Sequence, residues 1–320
     1  SADVETTIED VQNDLNRTRK LFEDLLNVND DEDGYYDNED EDDIEWFAVH
    51  ALDNAFYVVK PDELYHLAAQ SFPRTSFDSP LDTLETNIQG TTRVLEALRN
   101  YSPQTITHIC SSSEVFGRVS KENLPISEKC SFHPASPYAI SKVGTDLIGR
   151  FYAEAYSMTV MTTRMFTHTG PRRGDVFAES SFAKQIALAE SGFIEPIIKV
   201  GNLNSLRTIA DVRDAVEAYY KLVTINPIAG EFYNIGGTYT TTIHKILDHL
   251  INLSSIKNII KIEVDKERLR PIDADLQVPN ISKFTDHTGW EPRISFNDTM
   301  VDLLNYWRNK VNQEGNKFLQ

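Results

Sequence analysis

Cys110-Ser-Ser-Ser-Glu-Val-Phe-Gly117 and Ser136-Pro-Tyr-Ala-Ile-Ser-Lys142 decide how this chain is read. The first segment continues an apolar run containing Ile106 and Ile109, which predicts a buried strand over 105–113 ending in hydroxyls and a carboxylate. The second puts Pro137 at the start of a predicted helix over 138–156, with Tyr138 and Lys142 one turn apart on one face. A tyrosine hydroxyl titrates at about 10 and is a poor base at neutral pH, but a nearby ammonium stabilises its phenolate. Tyr138 could then exchange a proton with a substrate alcohol or ketone, with Ser112 holding that oxygen by a hydrogen bond. Glu114 would be a second, separate acid or base. A bare Tyr-x-x-x-Lys pair also fits an ordinary exposed helix; the preceding proline and the serine-rich strand end favour the chemical reading.

Outward from this pair, Leu81, Leu84, Ile88, Val94, Leu95 and Leu98 give residues 80–100 helical spacing. Residues 158–165 are apolar and β-branched, and residues 63–71 read as a strand running into a small-residue turn. Further on, helices over 212–223, 243–253 and 297–309 alternate with short strands over 231–235 and 260–264. Strand and helix in alternation predict an α/β fold, a Rossmann-like doubly wound parallel sheet with a smaller C-terminal α/β domain.

At 320 residues and 40% hydrophobic composition, the chain suffices for one large or two modest domains with a core. No apolar run reaches the roughly 18 residues that a membrane span needs, and the opening SADVETTIED lacks the regions of a signal peptide. A soluble, cytoplasmic protein is expected. The two cysteines, Cys110 and Cys130, have no paired histidine spacing and argue for free thiols in a reducing compartment, with no structural metal. Cys110 reads as core. The net charge of −18 disfavours nucleic acid and anionic membranes as partners.

Much of that charge is local. Val4, Ile8, Val11, Leu15, Leu21, Phe22 and Leu25 predict an amphipathic helix extension within residues 1–28, packed on the body or paired with another subunit. Residues 29–45 are almost all acidic and read as a solvated linker, because the tract lacks the ligand pattern of a calcium loop.

The motifs SSSEVFG, SPYAISK, THTGPRRG, VGNL and LRP, in this order, resemble the extended short-chain dehydrogenase/reductases acting on nucleotide sugars. Within them the chain is most similar to the GDP-mannose 4,6-dehydratases and the GDP-4-keto-6-deoxymannose reductases. The resemblance runs from about Ala51 to the C-terminus. It implies Ser112, Glu114, Tyr138 and Lys142 as catalytic residues, and a bound NADP (or NAD) contacted by Asp53, Leu67, Ala68, Ala69, Tyr138, Lys142, His168 and Arg173. Arginine forks suit phosphates, so Arg172 and Arg173 are expected at the 2′-phosphate of NADP. Ser113, Thr167, Lys184, Arg207 and Arg270 are implied as substrate contacts, the basic residues converging on the nucleotide diphosphate. Thr167 stands where the family commonly has an asparagine.

The resemblance also implies a cofactor domain over 46–170 and a mainly substrate-binding domain over 171–320, with segments around 205–240 returning to the sheet. A homodimer or homotetramer is implied, paired through helices 81–99 and 138–156. One expected feature is missing. Family members open on a glycine-rich turn at the dinucleotide pyrophosphate, whereas here only Gly34 precedes Gly90. Three functions therefore stand side by side: a GDP-mannose 4,6-dehydratase, which needs Glu114; a 4-keto reductase or epimerase, which needs only Ser112, Tyr138 and Lys142; and a non-catalytic member kept for assembly.

Overall fold

The structure, a computed structural model, describes residues 52, 53, 55–269, 271, 272, 274–315 and 317. The chain divides into two compact units, Ser1–Ala48 and Val49–Gln320, and every described residue belongs to the second. The expected N-terminal helix and acidic linker lie outside the described residues, as does Arg270.

Four parallel strands carry the site. They are β1 (Glu63–His66), β2 (Ile106–Cys110), β3 (Val160–Met165) and β7 (Phe232–Ile235), adjacent in that order. The register pairs Glu63 with Ile106, Thr107 with Val160 and Thr162 with Phe232. All six residues of β3 are buried, as expected for a central parallel strand covered on both faces. Helices α1 (Gly90–Tyr101) and α2 (Pro137–Tyr156) contribute Leu95, Leu98, Tyr152 and Ala153 to a core cluster with Ile109 and Val160. A second cluster joins Met161, Met165, Tyr233 and Ile235 to Ala215, Ala218 and Leu222 of α4 (Val212–Thr224), which packs against β2.

The parallel sheet and its crossover helices agree with the expected α/β class. Boundaries differ in two places. The strand foreseen over 105–113 stops at Cys110, because Ser112 caps a 3₁₀ turn, Ser113–Phe116, by accepting from the Glu114 amide at 3.2 Å. The helix foreseen over 80–100 contains a π-helical turn, Glu85–Gln89, between Pro80–Leu84 and α1. There the Asn87 side chain donates to Ser141 Oγ at 2.8 Å and to the Gln70 carbonyl at 3.0 Å, linking the turn to α2 and to the loop after β1.

The remaining described elements form a second layer beside the cleft: β4 (His168–Thr169), α3 (Ala178–Glu190), β5 (Ile197–Val200), β6 (Leu206–Asp211), β8 (Tyr239–Thr242) and α5 (Ile243–Asn252). They are followed by β9 (Lys261–Val264), β10 (Leu276–Gln277), α6 (Ser282–Thr288) and α7 (Phe296–Glu314). Phe182 and Ile186 of α3, Leu247 and Leu250 of α5, and Leu303, Leu304 and Trp307 of α7 form one core cluster, whereas Phe284 of α6 is buried with Tyr233 and Ile235 of the parallel sheet. Gly289 ends α6 in the left-handed region at φ 64°, and Trp290 is fully buried with its indole donating to the Asp214 carbonyl at 3.1 Å.

Candidate active site

Two local devices aim the site. Ser136 accepts from the Ala139 amide at 3.0 Å and Pro137 occupies the first turn, so α2 starts one residue before Tyr138. Further along α2, Asp146 binds Arg164 of β3 at 2.7 and 3.0 Å, with both side chains buried, and Arg164 donates to the Glu128 carbonyl at 3.0 Å. This ion pair fixes the helix against the sheet and against the loop that follows Gly117.

Ser112, Ser113, Glu114, Tyr138 and Lys142 line one cleft of about 750 Å³. Leu67, Ala69, Thr167, His168, Arg173 and Arg207 line it too; Ala68 does not. Lys184 is not on the wall either: its ammonium bonds Asp175 Oδ2 at 2.6 Å, and Asp175 is the residue that reaches the cleft. Asp53 borders a separate hollow of about 360 Å³ with Gln89, Arg93 and Glu96.

Burial pushes the Tyr138 phenol well above its ordinary value. The Ser112 hydroxyl, its hydrogen-bonding neighbour, and Arg173 pull it down, while Cys110 and Glu114 add to the rise. Burial lowers the Lys142 ammonium, which donates to the Cys110 carbonyl at 2.8 Å and lies 6.0 Å from the centre of the Tyr138 ring. His168, bonded to the Phe166 carbonyl at 3.2 Å, is pushed down to about 4 by burial and by Arg173, so it is neutral at physiological pH. Glu114 lines the cleft, and its carboxylate has no hydrogen-bond partner among the described residues.

Cys110 is more than core. It is half-buried on the cleft wall, and its thiol stands 3.6 Å from the hydroxyl of Tyr219, a residue of α4 that the sequence reading passed over. Its place in an apolar strand put Cys110 in the core, and it does pack against the cluster of Met161 and Tyr219, but the strand ends at that residue and it also lines the opening. Arg268, Asn202 and Ser205 also line the cleft. The arginine-rich stretch 268–270 was the available signal for the first of them and the VGNL motif for the second; Ser205 was not singled out.

The sequence model of the GDP-mannose 4,6 dehydratase family matches residues 41–303. The chain belongs to that family. A GDP-6-deoxy-D-mannose reductase of Pseudomonas aeruginosa is 30% identical over 254 residues, 79% of this chain and 83% of the relative. A GDP-mannose 4,6-dehydratase of Yersinia enterocolitica is 30% identical over 274 residues, 77% of this chain and 73% of the relative. Among solved structures, that of RMD from Pseudomonas aeruginosa complexed with NADPH superimposes with a TM-score of 0.74 at 28% identity, covering 82% of this chain and 86% of the other.

The family's cofactor can be weighed against the residues present. The nicotinamide end fits: Leu67 and the small Ala69 line the same cleft as Ser112, Tyr138 and Lys142. The pyrophosphate end lacks its glycine-rich turn in the sequence, and among the described residues the sheet begins with β1.

Proposed function

We propose that the chain is a nucleotide-sugar 4,6-dehydratase converting GDP-mannose to GDP-4-keto-6-deoxymannose with NADP. The observation that carries this reading is the presence of Glu114, with its carboxylate uncommitted, in the cleft that also contains Ser112, Tyr138 and Lys142. Two proton-transfer groups serve a dehydration; a simple reduction of a ketone needs one.

Bound NADP supplies the hydride acceptor and, at the end of the cycle, the donor. Ser112 holds the C4 oxygen, and the Tyr138 phenolate takes the C4 hydroxyl proton as that carbon is oxidised. The resulting ketone acidifies C5. Glu114 would remove the C5 proton and pass it to the C6 hydroxyl, which leaves as water; with the hydride held by bound NADP returned to C6, C5 would take back the proton that Tyr138 gained from the C4 hydroxyl, restoring the phenolate. Lys142 binds the cofactor ribose side and orients the strand end through the Cys110 carbonyl. Arg207 and Arg270 take the diphosphate, Lys184 holds Asp175 of the cleft wall, and Ser113 and Thr167 contact the sugar.

On this reading residues 46–170 bind the cofactor and 171–320 mainly the substrate. The exposed Ile140, Leu147 and Phe151, on one face of α2, support pairing of two copies through that helix and α1. No described helix is long and apolar enough to cross a membrane, and a cytoplasmic location is proposed. The similarity to a GDP-6-deoxy-D-mannose reductase favours a second reading, reduction of the 4-keto sugar at the same Tyr138. Glu114→Gln separates the two: it abolishes dehydration, and it leaves ketone reduction intact if the second reading holds.

A further inference from the structure

We propose that Gln277 is a positioning residue of the reaction, tying the turn that carries Ser113 and Glu114 to the wall of the cleft that holds Arg207. The inference deepens, and rests on, the reading of the cleft as a dehydratase site with Glu114 as its second acid or base.

The place of Gln277 in the fold is what singles it out. β10 is two residues long, and strand alternation leaves Leu276 half-buried while Gln277 is 1% exposed. An apolar side chain of the same length would fill such a place with no polar group to satisfy. Instead the Gln277 Nε2 donates to the Ser113 carbonyl at 3.4 Å, across 164 residues of sequence. A carbonyl only accepts, so this contact fixes the orientation of the amide and leaves Oε1 buried with no hydrogen-bond partner. A half-satisfied buried amide is costly to the fold, and a long bond recovers little of that. What the bond does supply is a hold on the first residue of the turn Ser113–Phe116, which Ser112 caps and in which Glu114 is second.

The segment around Gln277 touches both walls of the cleft. On one side Gln277 stands in register with Arg207, and the Leu206 amide donates to the Asp275 carbonyl at 2.7 Å. The Asp275 carboxylate accepts from Ser205 Oγ at 3.0 Å and from Asn202 Nδ2 at 3.4 Å. Asn202, Ser205 and Arg207 all line the cleft.

On the other side the Ile126 amide donates to the Val278 carbonyl at 2.7 Å, and the Asn280 amide donates to the Ile126 carbonyl at 2.8 Å. These bonds seat the segment on the loop between the catalytic turn and α2. Main-chain bonds thus hold the strap at Asp275, Val278 and Asn280, and the Gln277 side chain, between them, reaches the turn itself. The position of Arg207 and Ser205 is in this way tied to the Ser113 carbonyl, and so to the carboxylate that follows it in the chain.

The test is steady-state kinetics of the full chain with NADP and GDP-mannose in Gln277→Met and Gln277→Glu, with NADP and GDP dissociation constants and urea unfolding midpoints from the same preparations. Gln277→Met keeps the length and removes both the bond and the unpaired oxygen, so the midpoint should hold or rise. Its kcat should fall about tenfold, the scale of a small misplacement of a reacting group, with KM and both dissociation constants unchanged. In Gln277→Glu the protonated acid can donate to the Ser113 carbonyl and the carboxylate cannot. Its kcat should therefore match the parent's at low pH and fall below it as pH rises through the titration of that buried carboxyl. An unchanged kcat in Gln277→Met, or a loss of activity that only follows a lowered midpoint, would overturn the inference and leave Gln277 a packing residue. A constant ratio of Gln277→Glu to parent kcat across pH would overturn it too, which keeps the test decisive should Gln277→Met fail to fold. Turnover of GDP-mannose that is absent from the folded parent, or that survives Glu114→Gln, would instead overturn the dehydratase reading beneath it.

Discussion

The Lys142 ammonium donates to the Cys110 carbonyl at 2.8 Å, tying the second turn of the catalytic helix to the last residue of β2. A backbone bond of this kind gives the lysine two duties, positioning the strand end and setting the field around Tyr138. Lys142→Met should therefore lower kcat more than tenfold while changing the unfolding free energy by less than about 2 kcal/mol. The lost hydrogen bond and the removed buried charge offset one another. Steady-state kinetics and urea unfolding on the same preparation check both halves.

Tyr138→Phe keeps the ring in its buried seat and removes only the titrating oxygen. Turnover should fall by about 10²–10⁴-fold, the usual worth of a positioned acid or base, with little effect on stability. Activity within tenfold of the parent would place the proton acceptor elsewhere.

Asp146 and Arg164 form the buried ion pair that fixes α2 to β3. Asp146→Ala strands the guanidinium among Phe116, Phe132 and Phe232, whose rings it lies over. The expected loss is about 3–5 kcal/mol in chemical denaturation. The double variant Asp146→Leu/Arg164→Met, which removes both charges, should recover much of it.

Buried histidines set a pH dependence of stability. His108 is fully buried and is pushed down to about 3, and His66 and His168 to about 4, in each case chiefly by burial. Each folded value lies below the unfolded one of about 6.5, so the unfolded chain binds more protons between the two. Their contribution is complete above pH 6.5 or so and is lost as pH falls toward 4. Unfolding free energy should decline from pH 7 to pH 5, and the slope should be shallower in His108→Gln. An equal slope in that variant would remove His108 from the account.

The sheet and the catalytic helix were legible because their signals are local and redundant. The apolar run of β3 and the Ser136-Pro137 start of α2 each combine pattern with chemistry. The proton-transfer set was legible for the same reason: four chemically distinct side chains in two short motifs meet in one cleft. What sequence could not convey was direction. Cys110 looked like core until the strand proved to end there, and Tyr219 reaches the site from a helix more than a hundred residues downstream. Arg172 and Arg173 are chemically identical neighbours, and only the backbone at φ 71° sends one outward and the other in. Lys184 was placed on the substrate by family resemblance, and in the fold Asp175 takes its ammonium.

The measurement that bears most directly on the whole account is product analysis after incubating the purified full chain with NADP and GDP-mannose. The account predicts GDP-4-keto-6-deoxymannose, formed by the parent protein and lost in both Tyr138→Phe and Glu114→Gln. No product from folded protein, together with NADPH-dependent reduction of the 4-keto sugar that survives Glu114→Gln, would contradict it.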